Sequence, residues 1–362
     1  MTYKRNQDIL IENLGSHLSE AILYGKLVKY KKLDEILGCF IPNLPREINI
    51  FIDLNQILLE LYKFENIANP LGILASITNL PIHYRHYFNK LGIKSNIFLI
   101  YSSNDSSNNY KYIANYNAKE RILKESNKHV HDIIIYNIEL LNTLVPYLPG
   151  IYLKRGTVEP TVIAYDLIQK FEKSVSTNIF LSSSDYAYQL PAVLPNVLLI
   201  YKKSVLGEDR KSEDISFGVT QANVLSTYIM INNKQSYLNI KNQELVSSFM
   251  VCNGLPSRGI KTLLSYKKSL NVLSKLIESY KIISPENIYQ IINSFYNEKG
   301  ITLEEICSRY YAIDINHQLT LYRQLPESME SNFLVDIYDL QALYDINNIY
   351  FKGSNMIDFY KL

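Results

Sequence analysis

Residues 149–190 read PGIYLKRGTVEPTVIAYDLIQKFEKSVSTNIFLSSSDYAYQL, and this stretch decides the fold. It holds a helix that opens on one carboxylate and a strand that ends beside another. Glu159-Pro160 suits a first helical turn, because proline has no amide to leave unpaired and an acid is stabilised at the helix's positive end. Val162, Ile163, Leu167, Ile168 and Phe171 recur at intervals of three and four, so an apolar helical face runs to Phe171. Residues 178–181, NIFL, make a short buried strand, and Ser182-Ser183-Ser184-Asp185 breaks it with small polar side chains. Asp185 therefore stands at a strand's carboxyl end, where open parallel sheets collect their ligands.

The same pattern recurs on both sides. Residues 48–52, INIFI, form an apolar strand that runs into Asp53 and then into a helical run, LNQILLELYKF. Alone, an aspartate there is more often a helix cap than a ligand. NIFLIY at 96–101 is a further strand, followed by the polar run SSNDSSNN with Asp105 inside it. YIANYNAKER at 112–121 opens a helical region that extends to about residue 148, and Lys111, Lys119 and Arg121 give its start a basic patch able to face phosphate. Downstream, NVLLIY at 196–201 is a strand, the charged segment 202–214 reads as exposed, and 228–231 reads as a strand. In residues 244–269, ELVSSFMVCNGLPSRGIKTLLSYKKS, two helices meet at a glycine turn that can present backbone amides to a phosphate, with Arg258, Lys261, Lys267 and Lys268 beside it. The pairs His83/His86 and His129/His131 have no third ligand nearby and read as ordinary surface or half-buried histidines.

Strands alternating with helices predict an α/β fold: a mostly parallel central sheet flanked by helices, with a helix-turn-helix element and extra helices at both ends. The expected division is a helical extension at 1–45, the α/β domain at 46–242, the helix-turn-helix at 243–275 and a helical region at 276–362. With 362 residues and 47% hydrophobic content the chain can bury a large core. A net charge of +2 does not announce nucleic acid, so any such surface must come from local patches. Cys39, Cys252 and Cys307 lie too far apart for a disulfide framework or a zinc motif, which suits a reducing interior. The sequence shows neither a membrane-spanning run nor a signal peptide, so the expected location is the cytoplasm, of a host cell or otherwise, or a virion. Thirty tyrosines, no tryptophan, and abundant asparagine, isoleucine and lysine fit A/T-rich codons, as in a virus, a phage or a low-GC genome. The acidic, tyrosine-rich run VDIYDLQALYDINN near the end would repel DNA and suits docking to another protein.

The order of these motifs resembles the 5′-nuclease family, the flap endonucleases and 5′-3′ exonucleases related to PIN domains. The matching pieces are IFIDLNQIL with Asp53, YNAKER with Tyr116, Lys119 and Arg121, and GTVEPTVIA with Gly156 and Glu159. They continue in SSSDYAYQL with Asp185, Gln189 and Leu190, and in NGLPSRGIKTLL with Gly254, Pro256, Gly259 and Lys261. The resemblance implies that Asp53, Glu159 and Asp185 hold Mg2+ or Mn2+ and that Lys119 and Arg121 act on the scissile phosphate. It also implies that Gly254, Arg258, Gly259, Lys261, Lys267 and Lys268 grip the DNA backbone without reading its sequence.

The sequence departs from that family where two metals would need their ligands. Thr161 and Val162 stand where two aspartates follow the glutamate, Tyr186 follows Asp185 where aspartates pair, and Cys252-Asn253 precede the helix-turn-helix where acids are usual. The second strand ends in Tyr101-Ser102-Ser103, and Asp166 lies two turns too deep to be a ligand. Asp105, Asp209 and Asp214 are the other acids that could fold back. Three carboxylates hold one ion at best, whereas a two-metal mechanism needs more. The expectation is therefore a 5′-nuclease-like protein with an eroded metal site, a non-catalytic or weakly active DNA-binding component of a viral or replication assembly. The alternative is an active divalent-metal-dependent 5′-nuclease.

Overall fold

A computed structural model describes residues 45–59, parts of 77–90, 91–103, 111–145, 150–171, 177–206, 212–233, 240, 242–280, 283–296 and 300–324. The expected helices before residue 45, His83, His86, Asp105, Asp209 and the acidic tyrosine-rich run lie outside these residues. Six strands form the sheet: β1 (Glu47–Asp53), β2 (Lys94–Ser102), β3 (Ile151–Gly156), β4 (Asn178–Ser182), β5 (Val197–Leu206) and β6 (Ser212–Val219). Their order is β3-β2-β1-β4-β5-β6, with every pairing parallel except β5 with β6. The mostly parallel sheet expected from the sequence is therefore present.

Among the described residues the helices are α1 (Leu54–Leu59), α2 (Ala118–Ser126), α3 (Lys128–Leu144), α4 (Pro160–Phe171), α5 (Gln189–Val193) and α6 (Val224–Asn233). They continue with α7 (Val246–Asn253), α8 (Tyr266–Ser279), α9 (Pro285–Tyr296), α10 (Leu303–Ile313) and α11 (Ile315–Arg323). None is long and apolar enough to cross a membrane.

Side chains alternate across the strands, so the sheet is buried on both faces. Phe51, Phe98, Phe180 and Leu199 point into one core with α4 and α6–α11. Ile50, Ile52, Leu99, Ile179 and Ile200 point into the other, under α1 and α3. Register brings Phe51 opposite Phe98 and Phe98 opposite Tyr152, and their rings stack at 4.9 and 5.0 Å. At the strands' amino ends the ladder is polar: Asn96 Nδ2 donates to Asn49 Oδ1 at 3.2 Å, and Asn49 Nδ2 to Asn178 Oδ1 at 3.1 Å. A one-residue slip would break each of these bonds, so the asparagines fix the register.

Four elements differ from the sequence reading. β3 and β6 are strands the sequence did not announce, and β5 runs on through the charged Lys202-Lys203. β3 and β6 carry polar residues because they are the two edges, which natural sheets keep polar, and β5 carries its two lysines where it pairs with the edge strand β6. Residues 228–231 belong to helix α6, not to a strand. Every residue from Val224 to Ile231 is buried, so the helix shows no amphipathic period, and its branched side chains imitate a buried strand.

Candidate functional site at the carboxyl end of the sheet

β1, β2 and β4 end together, and small polar residues tie their ends. Asn55, in the first turn of α1, clasps the end of β2: its Nδ2 donates to the Ser102 carbonyl at 2.6 Å, and Ser102 N–H donates to its Oδ1 at 2.7 Å. Asp53 closes β1 and caps α1, accepting Gln56 N–H at 3.4 Å, while Ser182 Oγ, at the end of β4, donates to its other oxygen at 2.7 Å. Asp53 is buried. Burial pushes its carboxyl up to about 7, against the opposing pull of the Ser182 hydroxyl and the nearby Arg258 cation.

Glu159 stands just before α4, and its carbonyl accepts two first-turn amides, from Val162 and Ile163. Its carboxylate is 1% exposed, and both oxygens have donors. Tyr116 OH donates to Oε1 at 2.9 Å, with Asn117 Nδ2 at 3.4 Å, and Arg258 Nη2 donates to Oε2 at 2.8 Å. The same Arg258 nitrogen donates to Ser184 Oγ at 2.7 Å. Burial works against the charge of Arg258, but the Glu159 carboxylate together with Tyr116, Glu120 and Asp53 outweighs it, and the guanidinium is held in its charged form more firmly than in water.

Two glycines and one left-handed asparagine bring Arg258 inward. Gly254 ends α7 at φ 95°, and a Cβ there would lie 2.4 Å from the Lys261 carbonyl, so the turn closes on itself only as glycine. Gly259, at φ 80°, lets the turn dock on the loop before α2: a Cβ would come within 2.3 Å of the Asn115 carbonyl. There Asn117, at φ 51°, donates its N–H to the Arg258 carbonyl at 3.1 Å. The glycine turn and the YNAKER loop, far apart in sequence, thus close over Glu159 from two sides.

The residues expected to act together are placed differently. Asp185 opens a short 3-10 turn and accepts Tyr201 OH at 2.8 Å and Asn232 Nδ2 at 3.3 Å, so its carboxylate is engaged by β5 and α6. Among the described residues no group of three or more His, Cys, Asp or Glu could hold a metal ion. Asp166 pairs with Arg323 and Lys170 at the far end of α4. Asp214 lies in β6, its backbone opposite Ser204. Lys119 and Arg121 are exposed on α2.

Of the six residues expected on DNA, Gly254 and Arg258 are buried. Arg258 is turned inward because the Glu159 carboxylate, not solvent, is within reach of its guanidinium. Gly259 is exposed but packs its α-carbon on Asn115. Lys261 and Lys267 are exposed, and the carbonyl of Lys261 accepts from Arg309 at 2.8 Å. Lys268 Nζ lies 5.4 Å from the centre of the Tyr296 ring. The sequence reading missed Ser182, Ser184, Asn55 and Asn117, and Tyr116 as a partner of Glu159; serines and asparagines at strand ends give no signal that separates a clasp from a loop.

A divalent ion does not fit this donor set. A fixed positive charge already sits on one oxygen of Glu159, two neutral donors sit on the other, and one oxygen of Asp185 is held by Tyr201 and Asn232.

No protein-family model matches the sequence, and no curated protein does. Among solved structures the chain is similar to the bacteriophage T5 D15 protein co-crystallised with metal ions. The identity is 10%, over 76% of this chain and 92% of that one, with a TM-score of 0.48. It is also similar to human GEN1 in complex with Holliday junction DNA, at 11% identity over 80% and 62% of the chains and a TM-score of 0.38. The catalytic core of Rad2 in complex with DNA substrate gives 13% identity over 83% and 87%, with a TM-score of 0.40. Other structures of the T5 protein are of a flap endonuclease and a 5′-exonuclease. What the present site does is decided by its own side chains.

Proposed function

We propose that this chain is a 5′-nuclease-like protein that holds DNA by its backbone without cutting it, as a component of a viral or replication assembly. The observation that carries this reading is the Arg258 guanidinium, buried between Glu159 and Ser184. Hydrolysis by divalent ions depends on carboxylate oxygens free to hold the metal beside the phosphate. Here the two oxygens of Glu159 are committed to Tyr116, Asn117 and Arg258. Displacing Arg258 would leave a buried carboxylate and a buried guanidinium to be satisfied anew, which costs about 3–5 kcal/mol when one partner of such a pair is lost. Lys119, Arg121, Lys261 and Lys267 are exposed, where they can meet phosphates.

A labelled 5′-flap DNA tests the reading. Binding should persist in a chelator, weaken steeply with salt, and weaken further in Lys261→Ala and Lys267→Ala, with no cleavage in Mg2+ or Mn2+. Cleavage that Asp53→Ala and Glu159→Gln both abolish would replace this reading with an active divalent-metal-dependent nuclease.

A further inference from the structure

A buried carboxylate needs a compensating positive charge, and a protein can supply it either as a bound ion or as one of its own side chains. Arg258 donates to two oxygens, of the Glu159 carboxylate and of the Ser184 hydroxyl, and the Ser184 N–H donates at 3.1 Å to Ser182 Oγ, which donates in turn to the Asp53 carboxyl. Hard oxygen donors of this kind suit Mg2+ or Mn2+ once no cation is already present.

A side chain has a decisive advantage over a dissolved ion. Arg258 is delivered by its own turn, which the Asn117 N–H, the Leu255–Ile260 bridge and the contact of Gly259 on Asn115 hold in place. Tethering of this sort gives an effective concentration in the millimolar range or above, which favours the side chain over a dissolved ion of similar intrinsic affinity. The guanidinium Nε is buried without a hydrogen-bond partner, so the pocket takes Arg258 for its charge, and its full set of donors is not used.

We propose that Arg258 is a tethered cation standing in a divalent-ion position, and that removing its side chain turns the pocket into a Mn2+ site made by Glu159, Asp53 and Ser184. The wild-type chain is then indifferent to Mn2+ at this place. This inference goes beyond the reading that the chain grips DNA, because it concerns which cation neutralises Glu159, and its test uses no DNA.

The experiment is a Mn2+ titration of the metal-free full chain, followed by calorimetry and by thermal melts, for wild type, Arg258→Ala, Arg258→Lys and Arg258→Ala/Glu159→Gln. Arg258→Ala should bind Mn2+ and gain about 5 °C in melting temperature at saturation. Wild type and Arg258→Lys, which keep a cation, should gain nothing, and the double variant should lose the gain. Wild type that binds Mn2+ in a Glu159-dependent way, or a folded Arg258→Ala that binds none, would overturn the proposal. Should Arg258→Ala fail to fold without metal, it is refolded in Mn2+: recovery that needs Glu159 supports the proposal, and no recovery overturns it.

Discussion

Helix α4 and the residue before it carry two acid–arginine pairs with the same contact distance, both acids buried and the two arginines in opposite surroundings. At its start Glu159 meets Arg258 at 2.8 Å with the side chains 1% and 7% exposed; two turns on, Asp166 meets Arg323 at 2.8 Å, but Arg323 is 48% exposed. Coulomb's law gives both pairs the same separation, so what differs is the medium and what is left behind when one partner goes. Arg323 can return to water. Arg258 cannot do so without opening the turn that docks on Asn115 and Asn117, and Glu159 has no water to turn to. One arginine is therefore locked into the site and the other can be replaced by water, although both acids are buried and a list of distances would rank the pairs equal.

The largest test of that contrast is Glu159→Gln, which leaves the Arg258 charge buried opposite a neutral amide. Urea unfolding should show a loss of about 3–5 kcal/mol. A loss under about 1 kcal/mol would put the buried pair on the same footing as the exposed one and remove the distinction.

Asp53 sharpens the comparison through pH, since it shares the electrostatics of the buried pair without being bonded to Arg258. Its folded value of about 7 lies above the ordinary 3.8 because burial disfavours the charge. A raised value means that the folded state holds the proton more tightly. The stabilisation is thus complete below about pH 4 and is lost as pH rises through 7. Asp53→Asn does not titrate, so from pH 5 to 8 wild type should lose about 2–3 kcal/mol relative to the variant in chelated buffer. Parallel curves for the two proteins would mean that Arg258 already neutralises Asp53, and that the site contains one buried charge network rather than a pair with a protonated neighbour.

How much of this was legible in the sequence follows the same division between packing and placement of charge. INIFID, NIFLIY and NIFL are apolar runs ending in polar residues, and they lie where expected, as β1, β2 and β4 with Asp53 and Ser182 at their ends. IYLKRG was silent because an edge strand is half solvated, and α6 was misread because a helix buried all round loses its period. Glu159 as the opening of α4 was legible from the Glu-Pro pair. Arg258 was not. Ser-Arg-Gly in a glycine turn reads as surface, and nothing local reports that Gly259 will meet Asn115 and carry the arginine inward. The partners of Asp185 were equally silent, since Tyr201 and Asn232 come from β5 and α6, whose packing no local pattern encodes.

The smallest expected effect completes the contrast. Burial alone would raise the carboxyl of Asp166, but Lys170 and then Arg323 outweigh it and hold it below its ordinary value. A lowered value gives stability that is present above about pH 4 and is lost only as pH falls below it. Arg323→Ala removes one of two cations, and Lys170 still reaches Asp166 at 2.7 Å, so the buried carboxylate keeps a charged partner. The cost at pH 7 should be under about 1 kcal/mol and should shrink further in high salt, where the Glu159→Gln cost holds. Equal salt sensitivity in the two variants would show that the turn carrying Arg258 opens to water readily, and that the buried cation exchanges with solvent far more easily than its packing implies.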